Sequence, residues 1–493
     1  MLSILIGLPV LGALLLGFWP TQHIRLLALG FSSALLVGMV GLMSQFRLDR
    51  AGMQFVEHLP WIEPIGLAYH LGVDGLSLPL LALNAFLTWI AIYSSPTTIE
   101  RPRLYFALLL LGNAGIAGAL LAQNLLLFVL FYEVELIPFY LLIAIWGGTE
   151  KRGYAAMKFL LYTAISGFLV LGAFLGIALL GSTPTFAYDP AVTQGFSLTV
   201  QLVLLTMLLV GFGIKIPLVP LHTWLPDAYV EASAPVAILL GGVLAKLGTY
   251  GLVRFGLGLF PETWHVTAPG LALMGAACAA YGALSAIAQR DIKRMVAYSS
   301  IGHMGYILLA VAAATPLSLL GAVLSMISHG LILAVLFHLI GVVETKVGTR
   351  DLDLLNGLMN PVRGLPLVSA LLILGGMASA GIPGLVGFIA EFLVLQGSFE
   401  VFPIPTLLCV LCSGLTAVYF VILLNRTCFG RLNNAHAYYP SVRWVERTPA
   451  LILTAFIVLF GIQPSWLTRW SEPMTQALSA EINPTVALLG PSK

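Results

Sequence analysis

The sequence predicts an all-α, polytopic membrane protein of about fourteen transmembrane helices, built as two inverted five-helix repeats with broken helices 7 and 12. Three observations predict it. Of 493 residues, 59% are hydrophobic and only 9% are charged, against about 25% charged in an ordinary soluble domain. Too few polar side chains exist to build a water-facing skin, so the bilayer is the solvent. Apolar runs long enough to cross a hydrocarbon core recur along the chain. Two of these runs, five spans apart, are interrupted by proline and glycine.

The runs lie at 2–19, 24–44, 76–94, 104–121, 123–146, 156–180, 198–221, 232–257, 267–288, 296–314, 317–343, 365–396, 402–425 and 448–468. The first could pass for a signal peptide. It lacks a basic leading region and more spans follow, so it reads as a retained helix. The longest polar stretches, 45–72 and 426–447, are too short for a soluble domain. No run alternates polar and apolar residues as a lipid-facing barrel strand does.

Span 7 reads GFGIKIPLVPLHTWLPDA, with Pro217 and Pro220 inside it. Span 12 reads GGMASAGIPGLVGFIAEF, with Gly381, Pro383 and Gly384 near its middle. Proline removes a backbone donor and clashes with the preceding turn. Broken helices persist at membrane depth only where protein or water satisfies the freed groups. Ordinary proline kinks are the simpler alternative, but two breaks in antiparallel spans point to a transport site between inverted repeats. The expected organisation is a three-helix segment over 1–103, repeats over 104–257 (spans 4–8) and 258–428 (spans 9–13), and a last span with its tail over 429–493.

Fourteen spans divide the loops between two sides. Fifteen of the 23 basic residues fall on one side, among them Arg101, Arg152, Arg290, Arg350 and Arg443. Five fall on the other, namely Arg47, Arg50, Arg254, Arg469 and Lys493. The positive-inside rule puts the crowded side in the cytoplasm and both termini on the far side. The basic residues form no stripe of the kind nucleic acid needs.

The four cysteines are Cys278, Cys409, Cys412 and Cys428. Cys409 and Cys412 have C-x-x-C spacing but no second ligand cluster, so buried small residues are the better reading than a metal site. No phosphate-binding glycine loop, dinucleotide turn, haem motif or iron–sulfur cysteine set occurs. No cofactor is expected in this chain.

Charges inside the spans are the functional signal. One ionised side chain at mid-membrane costs about 2.5–3.5 kcal/mol on insertion scales. Glu133, Lys158, Lys215, Lys246 and Glu391 each sit among apolar residues. Glu133 and Lys215 are expected to pair, either as a titrating couple or as a static ion pair. Glu135, two positions from Glu133, is expected on another face with a structural role. Lys158 lies near the cytoplasmic end, where it can snorkel. His222 follows Lys215 by two turns, and His303 opens span 10. His329 and His338 lie nine residues apart in span 11, on opposite faces, so only one can line the same path. A lone histidine on an apolar helix is often only a hydrogen-bonding residue. His222, His303 and His329 are the relay candidates.

The motifs go further. KIPLVPLHTWLPDAYVEASAPVAILLGGVLAKLGTYGLVRF (215–255) closely resembles the signature of the antiporter-like chains of respiratory complex I and its relatives. QRDIKRMVAYSSIGHMGYI, SMISHGLILAVLFHLIG and GMASAGIPGLVGFIAEF are similar to the same family. YEVELIP and the Glu391 motif look like its chain 4 type, and DAYVEASAPVAILL and LLNRTCFGRL like the cyanobacterial and plastid version. Tyr132 departs from the tryptophan usual before the glutamate.

The resemblance implies proton translocation through Glu133, Lys215, Lys246 and Glu391, with His222, His303 and His329 in relay positions. It implies sister antiporter-like chains and lipids as partners. Quinone, iron–sulfur clusters and the electron donor would reside in other subunits, with ferredoxin and plastoquinone as the redox couple. A thylakoid location and a carbon-dioxide-uptake form of the complex are further implications. Two other readings stay open: a subunit of a multi-chain sodium/proton antiporter, and a structural anchor that pumps nothing. Glutamate and lysine on and between both broken helices argue against the anchor.

Overall fold

The computed structural model describes residues 1–148, 150–181, 184–432 and 439–482; Lys493, counted above on the sparse side, lies outside them. Twelve helices among the described residues are long and apolar enough to cross a bilayer, and three shorter apolar helices join them. They resolve into fourteen spans. Spans 1 to 4 are Leu2–Phe18, Ile24–Gln45, Ser77–Ser94 and Pro102–Leu121. Span 5 comprises Leu125–Val134 and Leu136–Trp146, span 6 is Arg152–Leu180, and span 7 comprises Leu198–Lys215 and Trp224–Glu231. Span 8 runs through Ala234–Leu257, followed by spans 9 (Pro261–Ile287), 10 (Ile292–Ala313) and 11 (Pro316–Val347). Span 12 comprises Pro366–Ser379 and Val386–Phe399, span 13 is Pro403–Thr427 and span 14 is Trp444–Ile462.

Spans 7 and 12 break where proline and glycine demanded it. Pro217 and Pro220 lack N–H groups, Leu218 N turns to Gly213 O, and the freed, buried carbonyl of Ile214 is taken up by the Trp224 indole at 2.8 Å. In span 12 the chain turns through Gly381 and Gly384, whose φ angles of 70° and 91° suit glycine. The windows of spans 8 and 11 are buried throughout and that of span 10 nearly so, whereas fewer than half of the residues in those of spans 2, 13 and 14 are buried. The bundle therefore has a fully enclosed centre, and that centre carries Lys246, His303 and His329.

Span 8 is not a plain α-helix. Its α-helical middle, Ala245–Gly251, is flanked by π-helical turns at Leu240–Leu244 and Leu252–Leu257. Such turns redirect backbone carbonyls and are frequent at functional sites.

Small residues let several helix pairs meet at their backbones, as membrane packing favours. A Cβ added at Gly282 of span 9 would stand 2.4 Å from Gly302 N of span 10, and one at Gly305 would stand 2.4 Å from Gly275 O. Span 11 meets the second half of span 12 in the same way, at Gly321 against Val394 N (2.6 Å) and at Gly397 against Ser318 N (2.3 Å).

The polar stretch 45–72 holds an antiparallel hairpin, β1 (Gln54–Ile62) and β2 (Leu67–Val73), turning at Gly66. Sequence alone gave only a polar connection here. The hairpin is tied to span 1 through Glu57, which accepts from the N-terminal ammonium, from Leu2 N at 2.7 Å and from Ser3 N at 3.1 Å.

Candidate functional site

Lys215 ends the first half of span 7, where a cation suits the negative end of the helix dipole. Its ammonium is 1% exposed and is bound to Glu135, not to Glu133. It also lies 3.4 Å from the Tyr132 carbonyl oxygen and 3.5 Å from the centroid of the Tyr132 ring. This corrects the expected Glu133–Lys215 pair. The cause is helical phase. Phe128, Tyr132, Glu135, Phe139 and Leu142 recur every three or four residues and form the buried stripe of span 5, whose helix is interrupted only at Glu135, three residues before Pro138. Glu133 instead lies half-buried against span 6, its carboxylate over Gly167, where an added Cβ would stand 1.7 Å from Oε1. Glu133 Oε1 and Glu135 Oε2 are both buried without a hydrogen-bond partner. The Tyr132 hydroxyl is held by Ser166 at 2.8 Å, and Ser166 donates to Gly211 O at 2.7 Å.

Lys246 stands in the α-helical middle of span 8 and is fully enclosed. Its ammonium donates to the Gly241 carbonyl that the π-turn presents. The same ammonium lies 2.7 Å from Nδ1 of His329 on span 11. Gly242 and Gly330 let these two spans approach, since a Cβ at Gly330 would stand 2.8 Å from Gly242 O.

The His329 ring stacks on that of His303 at 5.0 Å between centroids. His303 Nε2 lies 3.4 Å from Glu391 Oε1, in the second half of span 12. Glu391 Oε2 accepts from Ser413 of span 13 at 3.0 Å. A cavity of about 10 Å³ opens among His303, Ser325, Ser328, His329 and Glu391, room for about one water molecule. Buried His329 Nε2 has no hydrogen-bond partner. Four titratable groups from four spans thus form one continuous contact series, Lys246–His329–His303–Glu391.

The remaining sequence candidates fall outside that series. His222 lies in the break of span 7, with Nε2 3.0 Å from the Tyr281 hydroxyl. His338 Nε2 meets the Glu446 carbonyl at 2.7 Å, away from His329. Lys158 pairs with Asp227 at 2.8 Å, and Asp227 also takes Arg294 at 2.8 Å. Near Lys215 and Lys246 the chain is tightly packed, and a Cβ at Gly248 would meet Ile216 N at 3.0 Å and Phe212 O at 3.1 Å.

Sequence reasoning missed three residues. Glu135 reads as structural from sequence alone. Arg254 reads as a loop cation and Asp74 carries no mark of its own, yet they form a buried ion pair at 2.5 Å. Tyr250 and Tyr188 attend this pair through Arg254 Nε (3.4 Å) and Arg254 O (3.2 Å). The available signal was an arginine eight residues after Lys246 within the same apolar run. Cys278, Cys409, Cys412 and Cys428 are buried free thiols. Among the described residues, no group of three or more His, Cys, Asp or Glu could hold a metal ion.

The transmembrane signature described as NADH:quinone oxidoreductase/Mrp antiporter matches residues 122–416, which hold the series from Glu133 to Glu391. The chain belongs to this family. Within the NADH:quinone oxidoreductase/Mrp antiporter family, it is 37% identical to NAD(P)H-quinone oxidoreductase chain 4 of Acaryochloris marina, over 98% of this chain and 93% of that one. It is 40% identical to NAD(P)H-quinone oxidoreductase chain 4 1 of Synechococcus elongatus, over 90% and 84%. A chain of respiratory complex I from Thermus thermophilus superposes with a TM-score of 0.88 at 28% identity, covering 98% of this chain and all of that one. A chain of the Mrp complex from Dietzia shares the fold, with a TM-score of 0.85 at 21% identity over 99% of each chain. Fourteen spans with broken helices 7 and 12 are the architecture of this family member, a multi-pass membrane protein.

Proposed function

We propose that this chain is the chain 4 type, proton-translocating subunit of a type I NAD(P)H–quinone oxidoreductase. It moves protons through its buried glutamate, lysine and histidine groups, while redox chemistry runs in other subunits. The observation that carries the reading is the contact series Lys246–His329–His303–Glu391, enclosed at the centre of a bundle whose relatives are named for that oxidoreductase. An anchor has no use for four titratable groups in line, each costly in lipid. Histidine, with an ordinary pKa near 6.5, hands protons between lysine and carboxylate, and a single bridging water serves about as well as direct contact. Lys215 with its carboxylates forms the loading end, Lys246 the central station and Glu391 the terminal one. His222, beside Tyr281, serves the break in span 7.

In the same reading spans 4–8 (104–257) and 9–13 (258–428) are the two inverted repeats. The basic face is cytoplasmic and both termini face the thylakoid lumen. The partners are sister antiporter-like chains, other membrane subunits and lipids. Those partners hold the quinone, the iron–sulfur clusters and the electron donor, in a complex of the ferredoxin–plastoquinone kind and in its carbon-dioxide-uptake form.

The test is proton uptake by membrane vesicles carrying the assembled complex, with Lys246→Met and Glu391→Gln. Each is expected to reduce protons moved per electron while assembly stays normal. Wild-type pumping in both would sink the reading. Sodium-dependent proton exchange without quinone reduction would point to the antiporter instead. Lost assembly with normal pumping by the residual complex would favour the anchor.

A further inference from the structure

Two glutamates of span 5 stand near one lysine of span 7. Lys215 is bound to Glu135, while Glu133 adjoins Tyr132, whose carbonyl oxygen and ring face lie 3.4 Å and 3.5 Å from the ammonium. Each carboxylate keeps one buried oxygen without a hydrogen-bond partner, an arrangement that is unfavourable unless a partner arrives in another state. Two carboxylates and one ammonium leave this apolar pocket with one negative charge too many, and a single proton removes the excess.

The surroundings are built to keep the two sites apart. Gly167 leaves a hollow on span 6 that the Glu133 carboxylate fills. The Tyr132 ring carries the ammonium on its face and cannot swing, because Ser166 anchors its hydroxyl.

We propose that Lys215 exchanges between two carboxylate stations, docked on Glu135 in the conformation described here and moving across the face of Tyr132 to Glu133. In the exchange one proton passes from the Glu133 carboxyl to the Glu135 carboxylate as the ammonium crosses the other way. The net charge is unchanged and nothing is oxidised or reduced. This deepens the proton-translocating reading and rests on it. Glu135 becomes a working residue, and the hollow at Gly167 becomes the rest position of its alternate.

The assembled complex in vesicles decides it, by protons moved per electron in Glu133→Gln, Glu135→Gln, Glu135→Asp and Gly167→Ala. Glu135→Gln removes a hydrogen bond between charged groups, so a loss of roughly tenfold or more in pumping is expected, and Glu135→Asp restores most of it. Gly167→Ala displaces the Glu133 carboxyl without touching Lys215 and lowers the ratio as well. Wild-type pumping in Glu135→Gln, with Glu133→Gln inactive, overturns the two-station proposal and leaves the proton-translocating reading standing. Wild-type pumping in both overturns both. If Glu135→Gln fails to assemble, Gly167→Ala carries the test, and an unchanged ratio there refutes the second station.

Discussion

Asp74→Asn isolates the worth of the buried Asp74–Arg254 pair. Asp74 and Arg254 are 2% and 7% exposed, and Oδ2 meets the guanidinium at 2.5 Å. Asp74 Oδ1 meanwhile accepts from Leu76 N at 3.1 Å and Ser77 N at 3.0 Å, opening span 3. Asparagine keeps that acceptor but turns Oδ2 into a donor facing donors. Arg254 is left with the Tyr250 hydroxyl at 3.4 Å. Breaking a buried pair by removing one partner costs about 3–5 kcal/mol, two to three and a half powers of ten in an equilibrium at about 1.4 kcal/mol each. The assay is denaturant unfolding of the solubilised complex followed through this chain, with Arg254→Met and the double variant completing a cycle. The double variant, which buries no charge, is expected to recover most of the loss, because the large cost of a broken pair is the uncompensated ion left behind. A single Asn variant within about 0.5 kcal/mol of wild type, the range of an ordinary surface change, would refute the reasoning. So would strictly additive losses in the double variant.

Two further outcomes follow. Burial pushes the Glu57 carboxyl up, but hydrogen bonds from the N-terminal ammonium and Ser3 hold it below the usual carboxylate range. The clamp between β1 and span 1 is therefore fully present above that range and is lost as pH falls through the lowered value; amide exchange at Leu2 and Ser3 should accelerate in acid, and Glu57→Gln should abolish that pH dependence. Finally, the isolated chain is expected to reduce no quinone and to oxidise no carrier, and a stoichiometric redox cofactor in the purified chain would falsify this.

What the sequence made legible was whatever rests on length or on special residues. Fourteen spans were readable because crossing a bilayer needs about 20 apolar residues. The breaks in spans 7 and 12 were readable because Pro217, Pro220, Gly381 and Gly384 mark them. The series Lys246, His329 and Glu391 stood out because each charge or imidazole interrupts an apolar run. Other features left weaker marks. Glu135 shares a helical face with Phe128, Tyr132, Phe139 and Leu142, but span 5 is apolar all round, so the sequence does not say which of its faces turns inward to Lys215. The π-turns around Lys246 were invisible because span 8 is buried on every side, and a helix without a polar face has no phase to slip. The hairpin at 54–73 alternates too briefly to be told from a polar connection. Arg254 reads as a loop cation until Asp74, 180 residues away in sequence, arrives to pair with it.

The glycine contacts between helices carry a mechanical meaning. Spans 9 and 10 touch backbone to backbone at Gly282 and Gly305, so neither can roll on the other and the two act as one strut. Span 11 and the second half of span 12 are fused likewise at Gly321 and Gly397, and span 8 is keyed to span 11 at Gly330. Lys246, His329 and Glu391 all ride on this second body, while His303 alone rides on the first. His303 is thus the one link of the series that crosses a joint. A small slip of the first strut past the second would lengthen its 5.0 Å stacking on His329 and its 3.4 Å approach to Glu391 together. The other members would stay in register. In the proposed relay His303 is therefore the link that a displacement of spans 9 and 10 against spans 8, 11 and 12 would disturb first.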